Sequence, residues 1–331
     1  MARLFGYLRP MTDTSASPLF PEIEPFATHM LEVGDGHTLY VEQAGNPDGL
    51  PVVVLHGGPG SGCSPKSRQR FDPAVYHIIC FDQRGSGRSL PQGRLEANTT
   101  AHLVADIETI RELVNVDNWV VYGTSWGCTL ALAYAQAHTE HVRGIVTGGV
   151  FLGTAHEMAW VGAPDGLARF RPEEYAAIQD MLGPTDEPLE RALYRLVTGA
   201  DALRARAAAE AFALYESSAC FPATPRDAIL ASFREDPTFM AHIRLELHYM
   251  SQKLFLDTPL LDGCARLQGI PVTILQGAID FVCPPATAHA LHKALPDSEL
   301  VMVPTSNHVA DDAMEAARIQ ATNAMAKRLG F

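Results

Sequence analysis

No stretch of this 331-residue chain approaches the roughly 20 consecutive apolar residues of a membrane span. Polar residues and prolines interrupt the N-terminus from Arg9-Pro10 onward, so the apolar run of a secretory signal is missing as well. Cysteines are few: the six, Cys63, Cys80, Cys128, Cys220, Cys264 and Cys283, form no C-x-x-C pair, and reduced thiols are expected. A cytoplasmic protein without a membrane partner is the expectation. Basic residues are outnumbered 38 to 25, giving a net charge of −13, and no Lys/Arg cluster interrupts that balance. A nucleic-acid partner is therefore excluded, because phosphate binding draws on clustered cations. No metal is expected either. The pairs His138/His141 and His289/His292 lie outside any H-E-x-x-H pattern and have no thiol or carboxylate spaced to complete a site. Repeats and low-complexity tracts are absent too, and the oligomeric state stays open, a homo-oligomer included.

What is present is a soluble globular composition, 47% apolar and 19% charged, long enough for a large core. Residues 1–27 carry several prolines and read as an arm. Thr28 to Val33 and His37 to Gln43 flank Gly34-Asp35-Gly36, the turn chemistry of a hairpin. Continuous apolar runs follow at 51–55, 77–81, 119–122 and 142–150, as buried parallel strands require. Between them 101–116 places Leu103, Ile107, Ile110 and Leu113 at helical spacing. Strand–helix alternation stops near Gly153 and resumes after Pro259, with strands at 271–275 and 299–303 and helices at 286–295 and 311–329. The intervening Ala-rich segment reads as helical. The expected architecture is a mostly parallel, eight-stranded α/β sheet flanked by helices, with core segments 1–152 and 258–331 and an all-α cap, 153–257.

The chemistry concentrates at Trp119 to Gly127. An apolar strand runs into Gly123-Thr124-Ser125-Trp126-Gly127 and then into a small-residue helix, the strand–turn–helix context in which G-x-S-x-G makes a nucleophile elbow. A serine nucleophile needs a base and an acid to orient it. Asp280 follows the 271–275 strand and His308 follows the 299–303 strand, each at the carboxyl edge where open α/β sheets bind ligands. The order Ser, Asp, His is that of α/β-hydrolases. The oxyanion needs two N–H donors. Trp126, at the helix start, supplies one, and the loop His56-Gly57-Gly58-Pro59-Gly60 the other, with Gly58 nominated and Gly57 beside it.

The strings His56-Gly-Gly-Pro-Gly60, Phe81-Asp-Gln-Arg-Gly-Ser-Gly-Arg-Ser89 and Gly123-x-Ser-Trp-Gly127 resemble those of the proline iminopeptidases, a family of α/β-hydrolases. The resemblance runs from about residue 30 to the C-terminus. It implies a cofactor-free serine exopeptidase that removes an N-terminal proline from small peptides with a free N-terminus beneath a helical cap. It also implies that Glu216 and Glu246 match the paired cap glutamates that bind the substrate amino group. Read from the sequence alone, the same two residues could be solvated helix charges or partners of Arg226 or Arg244. Phe151, Trp160, Tyr249 and Cys283 fall at positions expected to wall the pocket. The chain departs from the family where Thr124 replaces the usual Gly, where Asn307 precedes His308, and in having fewer aromatics near Val161-Gly162 and at Met250, which implies a pocket wider or softer than a strict proline slot. An esterase or amidase of the same fold remains an alternative, since fold and triad do not determine the acyl group. A non-catalytic relative binding a ligand in the same pocket is a further one.

Overall fold

The computed structural model describes residues 17–331. Most of the expected arm, residues 1–16, lies outside the described residues. From Phe20 onward the chain is tied to the body: Phe20 exchanges hydrogen bonds with Gln69, Arg68 Nε donates to Ile23 O, and Phe26 N donates to Gln43 O.

Eight strands form one sheet. They are β1 (Ala27–Glu32), β2 (Thr38–Gly45), β3 (Leu50–Leu55), β4 (Tyr76–Phe81), β5 (Trp119–Thr124), β6 (Val142–Gly148), β7 (Val272–Gly277) and β8 (Glu299–Val303). Their spatial order is β1-β2-β4-β3-β5-β6-β7-β8, antiparallel as far as β4 and parallel thereafter. The Asp-Gly hairpin thus caps one edge, where β1 alternates between half-buried and exposed residues. The central strands are buried on both faces, the reason they read as unbroken apolar runs. Their side chains divide by parity. Val53, Leu55, Ile79, Phe81 and Val121 face one helical layer, while Val52, Val54, Ile78, Cys80, Val120 and Tyr122 face the other.

The helices are α1 (Pro65–Arg68), α2 (Thr100–Leu113), α3 (Trp126–Ala137), α4 (Ala155–Gly162), α5 (Pro172–Leu182), α6 (Leu189–Val197), α7 (Ala202–Cys220), α8 (Arg226–Glu235), α9 (Phe239–Ser251), α10 (Pro285–Ala294) and α11 (Asp312–Arg328). α2 ends three residues short of the expected Val116 because Asn115 turns into the left-handed region at φ 53°. Likewise β6 stops at Gly148, since Gly149 (φ 52°) turns the chain and Val150 N is taken by the Gln276 side chain. Between β6 and β7 the described chain is helical throughout, α4 to α9 with short 3₁₀ turns. The apolar core passes without a break from the sheet face under α2 and α3 into Phe212, Ala213, Ile243 and Leu247 of α7 and α9. Among the described residues no helix is long and apolar enough to cross a membrane.

The segment 82–88 braces the loops beside β5. Asp82 accepts from Cys63 N (2.7 Å), Arg88 N (2.8 Å) and Arg88 Nε (2.7 Å). Arg84 turns the other way, donating to Asp106 on α2 through Nε and Nη2 at 2.7 and 2.8 Å, and to Ala97 O and Val33 O. Both members of that pair are buried. Removing one partner of such a pair strands the other, so Asp106→Ala is expected to cost about 3–5 kcal/mol in urea unfolding. Asp106→Asn, which keeps an acceptor, should cost measurably less.

Candidate active site

The elbow is a steric solution. Ser125 sits at φ 59°, ψ −127°, a backbone conformation L-residues rarely hold and one that costs on the order of 1–3 kcal/mol. It is held there because strand and helix meet at glycine contacts. A Cβ on Gly123 would lie 2.1 Å from Gly127 O, and one on Gly127 would lie 2.2 Å from Leu55 O. The strand thus runs almost into the first turn of α3, and Ser125 is lifted at the crossing. Ser125 N donates to Gly148 O at 3.0 Å, fixing the turn against β6.

Two residues expected from strand ends meet this hydroxyl. His308 Nε2 is 3.0 Å from Ser125 Oγ, and His308 Nδ1 is 2.8 Å from Asp280 Oδ2. Asp280 also accepts from Val282 N (2.9 Å), Cys283 N (2.8 Å) and Gln276 Nε2 (3.2 Å). Held by those donors, the carboxylate places the proton on Nδ1 of His308 and leaves Nε2 as an acceptor for the Ser125 hydroxyl. Cys283 contributes its backbone to Asp280, and burial pushes its thiol well up.

Opposite His308, the loop after β3 rides over the elbow: an added Cβ on Gly57 would lie 3.6 Å from Ser125 Cβ. Among the described residues, neither Gly58 N–H nor Trp126 N–H has an acceptor. Gly58 reaches its position at φ 110°, where a Cβ would strike Gly60 N at 2.6 Å. Gln83 locks this loop to the elbow, donating to His56 O (2.9 Å) and accepting from Trp126 Nε1 (2.8 Å). His56 in turn accepts Gln83 N–H on Nε2 (2.9 Å), and its Nδ1 lies 2.9 Å from Gly57 O and 3.2 Å from Gly62 N. Burial pulls the His56 pKa down to about 4 and keeps the ring neutral.

Glu216 on α7 and Glu246 on α9 are both buried, which removes the solvated-charge reading, and neither forms an ion pair with Arg226 or Arg244. Their carboxyls face each other, and among the described residues neither Oε2 has a hydrogen-bond partner. Burial first, then the charge of its neighbour, pushes Glu216 well above the usual carboxylate range. Burial pushes Glu246 up to about 7, against the lowering influence of Glu216 and of His308 nearby. His242 Nε2 lies 3.7 Å from Glu246 Oε2, but burial depresses that imidazole and leaves it neutral.

The remaining expected pocket residues are placed less uniformly. Phe151 is half-buried just past β6, its carbonyl accepting from Thr129 Oγ1 at 2.6 Å. Trp160 donates to Phe281 O at 2.8 Å and joins Phe170 and Phe281 in an aromatic cluster over the loop that carries Asp280. Tyr249 packs its ring 4.8 Å from Trp126 and gives its hydroxyl to Asn98 Oδ1 at 2.7 Å, so it backs the elbow from behind. A cavity of about 400 Å³ opens at Ser125, His308, Gly57 and Gly58. None of Phe151, Trp160, Tyr249, Cys283, Glu216 or Glu246 lines it.

Residues that sequence reasoning passed over hold the site together. Gln276, at the end of β7, spans Val150 N, Asp280 and Cys283 O. Asn307 accepts from His308 N (2.8 Å) and Phe281 N (3.3 Å), and donates to Ala219 O (2.7 Å) and Cys220 O (3.1 Å) at the end of α7. Its place directly before His308, a departure from the family pattern, was the visible signal.

Residues 51–310 match the family model described as the alpha/beta hydrolase fold. A probable proline iminopeptidase of Leptolyngbya boryana is 42% identical over 297 residues, covering 88% of this chain and 91% of its own. A proline iminopeptidase of Arabidopsis thaliana is 39% identical, covering 94% and 82% respectively. Among solved structures, an esterase from Rhodococcus sp. superposes with a TM-score of 0.60 at 20% identity, over 90% of this chain and 97% of its own. A proline iminopeptidase-related protein from Thermus thermophilus gives 0.55 at 22% identity, over 91% and 98%. These two share the fold. Sequence identity of that depth over nearly the whole length, on this sheet and elbow, means that the chain belongs to the proline iminopeptidase family of α/β-hydrolases.

Proposed function

We propose that the protein is a serine exopeptidase that removes the N-terminal residue, preferentially proline, from small peptides. In this reading residues 153–257 form the cap over a catalytic core built from 1–152 and 258–331. His308, oriented by Asp280, takes the Ser125 proton as Oγ attacks the first peptide carbonyl. The N–H groups of Gly58 and Trp126 receive the oxyanion, which fits their lack of any other acceptor. His308 then protonates the departing amine, and water attacks the acyl-enzyme by the same route in reverse.

The observation that carries the substrate reading is the buried carboxyl pair Glu216/Glu246, in which, among the described residues, neither Oε2 has a partner. Two carboxyls confined together repel, and a primary ammonium or the secondary ammonium of an N-terminal proline between them relieves that repulsion while supplying N–H donors. A neutral ester substrate has nothing to offer the pair. The names of the relatives, proline iminopeptidases, agree with a substrate cationic at its N-terminus.

Ser125→Ala should abolish labelling by a fluorophosphonate probe, and Asp280→Asn should lower kcat by about four orders of magnitude with folding intact by circular dichroism. Labelling that persists in Ser125→Ala would place the nucleophile elsewhere. Glu216→Gln or Glu246→Gln should raise KM for prolyl arylamides roughly 10- to 100-fold and leave a neutral aryl ester far less affected. Equal effects on both substrates remove the pair from amino-group recognition.

The pair also sets a pH dependence. Because the Glu246 carboxyl is raised from 4.5 to about 7 in the folded state, it favours folding at low pH, and that contribution is lost as pH rises through about 7. Affinity for a cationic substrate runs the other way, improving as the pair ionises across the same interval. Glu246→Gln, which cannot ionise, should therefore melt higher than the parent at pH 8 by scanning calorimetry, with little difference at pH 5. A melting temperature lowered equally at both pH values would show that the carboxyl is not strained in the fold.

A further inference from the structure

The 400 Å³ cavity at Ser125 is bounded by elements from the sheet face opposite α2 and α3: the ends of β3 and β5, α1 and the start of α11. Its walls carry an unusual charge for a chain of net −13. Glu315 accepts from Arg70 Nε and Nη2 at 2.9 and 3.0 Å, and lies 3.0 Å from Lys66 Nζ and 3.5 Å from Arg318 Nη1. Three cations share one carboxylate, so this wall keeps a local excess of positive charge. Two polar atoms on its residues are buried with no partner among the described residues: Arg318 Nε and the Tyr122 hydroxyl. Both residues line the cavity and are more than nine-tenths buried. Buried donors left unmade are disfavoured, and two of them on one cavity describe a place prepared for an acceptor.

The direction of catalysis says what arrives there. With the substrate amino group at Glu216 and Glu246, the scissile carbonyl lies at Ser125 and the leaving amine lies at His308 Nε2, which must protonate it. The rest of the peptide then extends from His308 into the space that His308 itself lines. In a dipeptide the free carboxylate follows at once; each further residue moves it by up to about 3.6 Å. Resting on the exopeptidase reading above, we propose that this cavity binds the terminal carboxylate of a di- or tripeptide leaving group through Arg318 and Tyr122, with Lys66 and Arg70 setting the field. The site is then matched at both ends to a short zwitterionic peptide: negative for its amino terminus, positive for its carboxylate.

The test compares prolyl dipeptides and tripeptides as free acids and as their C-terminal amides, with a prolyl arylamide as reference. In the parent the free acid of at least one length should exceed its amide in kcat/KM by roughly tenfold, as a charge-assisted contact to a carboxylate implies. That ratio should shrink toward one in Arg318→Gln. Tyr122→Phe, which deletes only a partnerless hydroxyl and leaves the Glu315 network whole, should also reduce it. A ratio of one in the parent at both lengths, or a ratio that survives both variants, overturns the carboxylate site. The arylamide separates the two claims: if the parent does not cleave it, the exopeptidase reading falls. If it is cleaved while acid and amide are equal, only the carboxylate site falls.

Discussion

The closeness of strand and helix at Gly123 and Gly127 is the constraint on which the rest depends. With no room for a Cβ on either residue, the chain between them has one way to turn, and Ser125 takes the strained conformation that turn demands. Strain of this kind persists only when its surroundings over-determine it. Here the surroundings are Gly148 O holding Ser125 N, and the Gln83 side chain bridging Trp126 to the loop of His56. The Ser125 hydroxyl and the N–H groups of Gly58 and Trp126 are thereby fixed relative to each other by the fold, the kind of preorganisation that electrostatic catalysis requires.

Around that fixed point the two charged regions are arranged by different means. The carboxyl pair is carried on α7 and α9, whose apolar faces are continuous with the sheet core, so its burial follows from packing. The cationic wall is anchored by ion pairs to Glu315, whose carboxyl the neighbouring arginines and Lys66 hold well below the usual range despite its burial. One region is strained and the other satisfied, apart from two partnerless polar atoms on residues that line the cavity.

What the sequence makes legible follows from range. Ser125, Asp280 and His308 each sit one short loop past an apolar strand, so local pattern and strand-end position are enough to place them. The sheet, too, is written in local runs of Val, Ile and Leu. Gln83 and Asn307 are a different matter. Their partners lie 43 and up to 88 residues away, and no local pattern marks a side chain that bridges such distances. The burial of Glu216 and Glu246 depends on how α7 meets α9, which neither the Ala-rich α7 nor α9 announces in its local pattern, and only the family resemblance singled them out. Tyr249 and Trp160 were legible as aromatic positions but not in their partners, because hydrogen bonds to Asn98 and Phe281 O turn them toward the framework. The vacancies at Arg318 Nε and Tyr122 are the least legible of all, since an unmade bond exists only in three dimensions.

Asn307 ties together two parts of the chain that are far apart in sequence. One side chain holds the main chain of His308 and the last turn of the helix that carries Glu216. The end of α7 and the loop that presents the imidazole to Ser125 are thereby coupled through a single amide, so a displacement of either is passed directly to the other.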